Sequence, residues 1–142
     1  MAFRVTRQVR FGDCDPAGIV FYPRYFEMIN AVVEDWFASL DAPFTQIILR
    51  DGHGVPTVSV SAQFKAASRL GDSLTFHLAP LKLGRASLDL GVKAVCRDET
   101  RLTARPVLVW IDGAAMKARP WPAALRAKIA AAIETSEETG HA

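Results

Sequence analysis

The sequence predicts an α+β fold in which one antiparallel sheet wraps over one long, buried helix. Apolar residues recur with helical spacing from Pro23 to Leu40, over about five turns. Beyond residue 54 the apolar period changes to two and keeps that value through several segments. A helix followed by consecutive strands is typical of α+β folds with an antiparallel sheet.

Local signals set the bounds of the outer elements. A short first strand is predicted from Phe3 to Phe11. Pro23 suits the first turn of the long helix, because an N–H at that position would have no acceptor inside the helix. The segment Asp41-Ala42-Pro43 ends this helix, and a C-terminal helix is predicted over residues 121–135.

Four strands are predicted between the two helices. Apolar residues alternate in Val58–Phe64, Leu74–Leu78 and Leu88–Cys96, and a fourth run, Val107–Ile111, is apolar on both faces. Pro106 cannot donate a ladder hydrogen bond, so a bulge or a sheet edge is expected there. Such a sheet has open edges, which predicts self-association as a homodimer and, by pairing of dimers, as a homotetramer.

Length and composition favour one globular domain over residues 1–142, with a frayed polar tail at about 136–142. The formal net charge of +2 is too small for a general nucleic-acid binder. Two cysteines and three scattered histidines predict neither a disulfide framework nor a metal site, and no cofactor is expected. The first residues contain no long apolar run, so no membrane anchor is predicted and a cytoplasmic location is expected.

The segment RFGDCDPAGIVFYP, residues 10–23, is the most unusual part of the chain. It admits a plain interpretation as a turn, because Asp15 before a proline can accept nearby backbone N–H groups. The Asp13-x-Asp15 spacing also resembles the paired acids of metal-dependent phosphatases. Arg10 and Gly12 interrupt the apolar strand that such a site follows, and the chain lacks the alternating β and α pattern of those folds.

A third interpretation joins the acid to the helix. Gly18 allows a tight turn, and the N–H groups around Phe21 and Tyr22 are expected to be unpaired and to point at the loop. This electropositive helix terminus suits a developing oxyanion. With Asp15 folded back beside it, the two groups are a minimal constellation for hydrolysing an activated acyl group. Cys14 is not expected to act as a nucleophile, because no histidine lies nearby in sequence to activate it.

The run FGDCDPAGIVFYPRYF is similar to the active-site segment of the 4-hydroxybenzoyl-CoA thioesterases and their acyl-CoA thioesterase relatives, which are hotdog-fold enzymes. The likeness is strongest over residues 9–26 and continues more weakly through Val55–Phe64 and the Gly71-Asp72 turn. It reaches Val109–Pro122, where WIDGAAMKARPWP is similar to bacterial relatives associated with the Tol-Pal system. The resemblance implies a hotdog fold and hydrolysis of an acyl-CoA to free acid and CoA.

The resemblance also implies roles for single residues. Asp15 stands at the position of the catalytic carboxylate, and the backbone N–H of Tyr22 stands where the family polarises the thioester carbonyl. Asp13 is expected to organise the loop without taking part in the chemistry. Asp15 either attacks the carbonyl, giving a mixed anhydride that water then hydrolyses, or activates a water molecule, and both routes stay open.

The substrate's two ends are assigned in the same way. Arg85 and Lys117 fall near positions where the resembled enzymes contact the phosphates of CoA, and Tyr25 is assigned to the acyl pocket. Asn30 stands where the hydroxybenzoyl enzyme has an aspartate that recognises the 4-hydroxyl group. This departure leaves 4-hydroxybenzoyl, benzoyl, other aryl and short-chain acyl groups open.

Two other functions of hotdog proteins are weighed against hydrolysis. A hotdog dehydratase uses a histidine and an acid at the helix, and residues 10–40 contain no histidine. A non-catalytic acyl-CoA-binding or assembly module would not need Asp15 beside an intact helix start, so the acid favours an enzyme.

Overall fold

The protein is built on antiparallel strands and two helices in the computed structural model, which describes residues 3–138. The helices are α1 (Tyr22–Ser39) and α2 (Ala123–Glu138), and the strands are β1 (Phe3–Gln8), β2 (His53–Gly54), β3 (Thr57–Phe64), β4 (Ser73–Leu83), β5 (Ser87–Cys96), β6 (Glu99–Val109), β7 (Ile111–Asp112) and β8 (Lys117–Ala118). Five strands form one sheet in the order β1-β4-β5-β6-β3, and the three shortest form a second sheet in the order β2-β7-β8. The predicted α+β arrangement, an antiparallel sheet with one long helix and a C-terminal helix, is confirmed.

Helix α1 lies against the sheet through one broad apolar face. Phe21 is its N-cap and Pro23 lies in its first turn, as the sequence predicts. Its buried side chains are Tyr25, Met28, Ile29, Val32, Val33, Trp36 and Phe37. They pack against the inward residues of β4 and β5, of which Leu74, Phe76, Leu78, Leu88 and Leu90 are fully buried. The opposite side of α1 is exposed at Arg24, Glu27 and Asn30, so the helix is buried on one side rather than all round.

The C-terminal helix α2 extends three residues beyond the predicted end, to Glu138. It contributes Leu125 and Ile129 to the core and contacts β4. The first residues predicted to fray thus belong to the last turn of α2, and residues 139–142 of that tail lie outside the described residues.

The fourth predicted strand begins much earlier than expected. Strand β6 starts at Glu99, directly after a two-residue turn in which Arg97 and Asp98 both have positive φ. Its first half escaped prediction because only Leu102 and Ala104 are apolar between the charged run Arg97–Glu99 and Pro106, which leaves too short an apolar pattern to indicate a strand. The strand also ends at Val109, and Ile111 belongs to the second sheet.

Pro106 lies in an interior strand, one position in from the edge strand β3. It is opposite Val60 of β3, and the irregularity in this pairing falls between Thr57 and Ser59, close to the proline. The prediction of a bulge or an edge at Pro106 itself is therefore wrong: the register is continuous through the Val60–Pro106 pair, and the shift lies opposite Val107 and Leu108. Sequence periodicity also missed the π-helical segment Thr45–Arg50, which has one buried residue, Ile47.

No helix within residues 3–138 combines the length and the apolar character needed to span a membrane.

Candidate active site

A short antiparallel ribbon holds Asp15 beside the start of α1. The Phe21 N–H donates to the carbonyl oxygen of Asp13 at 2.9 Å, and the Asp15 N–H donates to the carbonyl oxygen of Ile19 at 3.0 Å. Residues rise about 3.4 Å each along such a ribbon, so Asp15 lies about 7 Å along it from the Asp13–Phe21 pair. Tyr22 follows Phe21 directly, which brings the acid and the helix terminus into one small region.

The four residues from Asp15 to Gly18 form a tight turn. The Gly18 N–H donates to the carbonyl oxygen of Asp15 at 2.9 Å, and Asp15 Oδ1 accepts the Ala17 N–H at 2.9 Å. Gly18 has φ +80°, a conformation that glycine adopts without steric cost. The turn interpretation of Asp15 is therefore correct for Oδ1. Its Oδ2 accepts no hydrogen bond from the described residues, which leaves one carboxylate oxygen for another partner.

The first turn of α1 presents one free N–H. The expectation that the Phe21 N–H is unpaired is wrong, because Asp13 accepts it; Pro23 has no N–H, and the Arg24 N–H donates back to Phe21 at 2.8 Å. Tyr22 is the first helical residue, where an N–H has no acceptor inside the helix. None of the described residues accepts a hydrogen bond from it.

Asp13 holds the loop from its other side. Its Oδ2 accepts the Arg10 N–H at 2.9 Å while its carbonyl oxygen accepts the Phe21 N–H. Both contacts are local and structural, as the sequence predicts for this acid.

Cys14 lies between the two acids and is only partly exposed. Burial raises the pKa of its thiol, and the Asp13 and Asp15 carboxylates raise it further. The Sγ atom contacts the carbonyl oxygen of Arg10 at 3.6 Å. A thiol held neutral in this way is a poor nucleophile.

An aromatic cluster borders the free N–H. The Phe64 ring stacks on Tyr25 at 5.6 Å between centroids and meets Tyr22 and Phe26 edge-on, each at 6.1 Å. Phe64 ends the edge strand β3 and is 48% exposed, so its ring is available to a ligand. The sequence predicts only an ordinary strand residue at Phe64, because its contacts with the helix depend on sheet topology, which local periodicity does not reveal.

Two predicted binding residues of α1 differ in their surroundings. Tyr25 is 4% exposed and belongs to the core as well as to the aromatic cluster. Asn30 is exposed, and its side-chain amide donates to Glu34 at 3.3 Å. It lies one helical turn beyond Phe26, on the same face of α1.

Arg85 and Lys117 lie at the opposite end of the sheet from Asp15. Arg85 is exposed in the β4–β5 connection, where its carbonyl oxygen accepts the Trp121 N–H at 3.1 Å, and Lys117 is exposed in β8. The first residue of β3, Thr57, lies at the end of the sheet that carries Arg85 and Lys117. The last residue of β3, Phe64, lies at the other end. Eight strand residues span about 23 Å, so one chain does not bring the predicted phosphate contacts to Asp15.

A groove of about 410 Å³ runs along the other flank of α1, beside β1. Its lining residues are Thr6, Arg7, Gln8, Arg10, Asp13, Arg24, Glu27, Met28 and Ala31. None of the six predicted site residues lines it. Two of its arginines already have carboxylate partners, since Arg7 pairs with Asp35 at 2.7 Å and Arg24 with Glu27 at 2.8 Å. Across residues 3–138, no three His, Cys, Asp or Glu side chains are grouped to hold a metal ion.

Comparison with known proteins defines the class to which this chain belongs. Residues 9–129 match the model of the thioesterase-like superfamily, and the chain belongs to that superfamily.

Two curated relatives share part of the chain. It is 39% identical over 81 residues to the 4-hydroxybenzoyl-CoA thioesterase of Pseudomonas sp. (strain CBS-3), covering 54% of this chain and 57% of that protein. It is 32% identical over 76 residues to a 1,4-dihydroxy-2-naphthoyl-CoA hydrolase of Synechocystis sp., covering 54% and 55%. The chain thus spans little more than half the length of these relatives.

The structural likeness is more extensive. The crystal structure of the Pseudomonas 4-hydroxybenzoyl-CoA thioesterase superposes with a TM-score of 0.82 at 26% identity, covering 89% of this chain and 98% of that one. The hotdog fold implied by the sequence resemblance is therefore confirmed over nearly the whole described chain.

Proposed function

We propose that this protein is an acyl-CoA thioesterase that hydrolyses an aromatic acyl-CoA to the free acid and CoA. The proposal rests on one observation. Asp15 Oδ2, which accepts no hydrogen bond from the described residues, lies in the same small region as the free N–H of Tyr22 at the start of α1. Membership of the thioesterase-like superfamily supports the same reaction class.

In the proposed mechanism the thioester carbonyl oxygen accepts the Tyr22 N–H, which stabilises the negative charge that develops on this oxygen. A backbone donor of this kind contributes about 3–4 kcal/mol to transition-state stabilisation. Asp15 Oδ2 then attacks the carbonyl carbon, the CoA thiolate leaves, and water hydrolyses the resulting anhydride. In the alternative route, Asp15 takes a proton from water as that water attacks the carbonyl carbon, the CoA thiolate leaves, and the proton passes from Asp15 to this thiolate. Both routes regenerate the ionised carboxylate.

The aromatic cluster supports an aryl substrate. A flat acyl group in contact with the exposed ring of Phe64 would lie next to the Tyr22 N–H, and aromatic pairs stabilise such contacts by about 0.5–1.5 kcal/mol beyond area burial. The two curated relatives are named for aromatic acyl-CoA substrates. Asn30 offers a neutral amide to a polar substituent rather than a carboxylate.

We extend the proposal to a dimer in which the β3 edges of two copies pair. Val58 and Val60 of this edge strand are 59% and 42% exposed. Monomeric proteins normally cover such an apolar edge strand or place charged residues on it. Antiparallel pairing of two β3 strands would bring the start of one strand to the end of the other. Arg85 and Lys117 of one copy would thereby approach Asp15 of the second, and two such dimers would form the tetramer.

The test is free-thiol release from a panel of acyl-CoAs: 4-hydroxybenzoyl, benzoyl, phenylacetyl, dihydroxynaphthoyl, and short and medium aliphatic chains. The proposal predicts turnover that is highest for an aryl member. Preference for an aliphatic member would keep the thioesterase and refute the aryl assignment. Binding of acyl-CoA without turnover of any member would refute hydrolysis and favour the binding module.

A further inference from the structure

A buried ion pair lies behind the candidate active site. Arg101 is 6% exposed and Asp72 is 8% exposed, and Arg101 Nη1 donates to Asp72 Oδ2 at 2.8 Å. The same nitrogen lies within hydrogen-bond distance of the carbonyl oxygen of Ala67, at 3.0 Å, and of Ser68 Oγ, at 3.3 Å. One guanidinium group therefore fixes three points of the β3–β4 connection.

This connection is the backbone partner of the loop that carries the site. The Val20 N–H donates to the carbonyl oxygen of Ser68 at 2.9 Å, and Ile19 forms an antiparallel bridge with Arg69. Asp72 Oδ2 also accepts the Arg69 N–H at 2.9 Å. The pair thus fixes the 67–72 segment, and this segment bonds residues 19–20, which join the Asp15 turn to Tyr22.

Stability alone does not explain a buried charge pair at this place. Removing two charges from water is costly, and apolar residues of similar volume often stabilise a fold equally well. An apolar pair, however, could not bond Ala67, Ser68 and Arg69 in a fixed geometry. Backbone contacts from Arg101 add to this, since its carbonyl oxygen accepts the Lys65 N–H at 2.8 Å.

We propose that Arg101 and Asp72 are positioning residues for the thioesterase reaction. They touch no substrate; they hold the 67–72 segment, and through the Ser68–Val20 hydrogen bond they hold the Tyr22 N–H and the Asp15 carboxylate in register. This inference rests on the proposed function, and its test separates the two.

The decisive variant is Arg101→Met combined with Asp72→Asn. Removing Arg101 alone would leave a buried, unpaired carboxylate and would destabilise the fold for that reason. The double variant removes both charges, while the amide oxygen introduced by Asp72→Asn can still accept the Arg69 N–H. The thermal unfolding midpoint, Tm, should fall in Arg101→Met, and the double variant is expected to recover most of that fall.

Hydrogen exchange reports the loop without any assay of activity. In the double variant the Val20 amide should exchange at least about tenfold faster, while amides of the β4–β5 pairing keep their protection. Unchanged exchange at Val20 would overturn the inference. If the wild type hydrolyses no acyl-CoA, the proposed function fails, whatever the exchange result.

Kinetics supply the second readout. For the preferred acyl-CoA, kcat of the folded double variant should fall about 10- to 100-fold, because small displacements of reacting groups have effects of that size. KM should stay within about threefold, since the substrate's contacts remain. A wild-type kcat in the folded double variant would overturn the proposal.

If the double variant does not fold, Arg101→Lys provides the same test. Lysine keeps one charged nitrogen beside Asp72, but it loses the contact of Arg101 Nε with Glu99 Oε1 at 2.7 Å and the fixed planar orientation that the guanidinium group gives to Nη1. We expect a folded protein with kcat lowered about three- to tenfold and with faster exchange at Val20. Wild-type values of both quantities in this variant would overturn the proposal.

Discussion

The two ends of the sheet are organised in different ways. At the end that carries Asp15, a tight turn, a helix start and a buried ion pair fix the backbone through several long-range hydrogen bonds. At the other end, Arg85 lies in a strand connection and Lys117 in a two-residue strand, and both side chains are exposed. One end has fixed geometry before any ligand arrives, and the other offers charge on the surface.

Under the proposed function, this difference corresponds to the separate requirements of catalysis and of carrier binding. An oxyanion donor and a carboxylate act only when they are held within a fraction of an ångström, which needs a rigid backbone. Phosphate groups of CoA are attracted over longer distances and tolerate flexible partners. Substitutions at the first end should therefore change kcat, and substitutions at the second should change KM.

The largest predicted effect among these comes from Gly18→Ala. A Cβ atom at this position meets no atom within 4 Å, so the change strains only the backbone at φ +80°. A left-handed residue other than glycine costs about 1–2 kcal/mol, and relief of that strain would shift the Asp15 turn. We expect kcat to fall about 10- to 100-fold. Gly12→Ala is the matched control, because Gly12 has equal space and no positive φ; equal losses in both variants would contradict the prediction.

Phe64→Ala should have the next largest effect, and it should depend on the substrate. Loss of the ring contacts beside Tyr22 is expected to lower kcat/KM for aryl-CoA about tenfold. For short aliphatic acyl-CoA, kcat/KM should change about twofold or less. Steady-state assays with both substrate classes measure the ratio. Phe11→Ala, at a phenylalanine that is 83% exposed, controls for the loss of a surface ring. Equal losses for aryl and aliphatic substrates would remove Phe64 from the acyl site.

A smaller effect is predicted for Arg85→Ala and Lys117→Ala. Each should raise KM about three- to tenfold at low salt and less at high salt, with little change in kcat, because exposed charges are screened. For thioesters of N-acetylcysteamine, which lack the nucleotide, KM and kcat of both variants should equal the wild-type values. Arg4→Ala removes an exposed cation from β1 and serves as the control. A fall in kcat with the truncated substrate would contradict the assignment to CoA phosphates.

Cys14→Ala should have the smallest effect, about twofold or less in kcat. Burial and two neighbouring carboxylates hold the pKa of the thiol above its ordinary 9.0, so it stays protonated through neutral pH. The pH–rate profile of the variant should overlay that of the wild type between about pH 6 and about pH 9. Loss of an alkaline limb in the variant would mean that the thiolate takes part.

Sequence reasoning predicts the parts of the candidate site that are encoded locally. The acid, the glycine turn and the proline that starts α1 lie within one short segment, so their chemistry and spacing predict a loop facing a helix start. It could not single out Arg101, because this arginine stands at an ordinary polar position of the strand pattern and its burial follows only when Asp72, 29 residues earlier, is placed against it. The separation of Arg85 from Asp15 was equally hidden, since it follows from strand order rather than from spacing along the chain.

The most direct test compares kcat for the preferred acyl-CoA in the wild type, Asp15→Asn and Asp98→Asn. Asparagine keeps the Oδ1 contact to the Ala17 N–H, so the turn should persist while the attacking or proton-accepting oxygen is lost. Asp98→Asn makes the same chemical change at an exposed turn residue. We predict a loss of about a thousandfold or more in folded Asp15→Asn, as expected when a nucleophile or general base is removed, and none in Asp98→Asn. Equal turnover in all three proteins would contradict a catalytic role for Asp15.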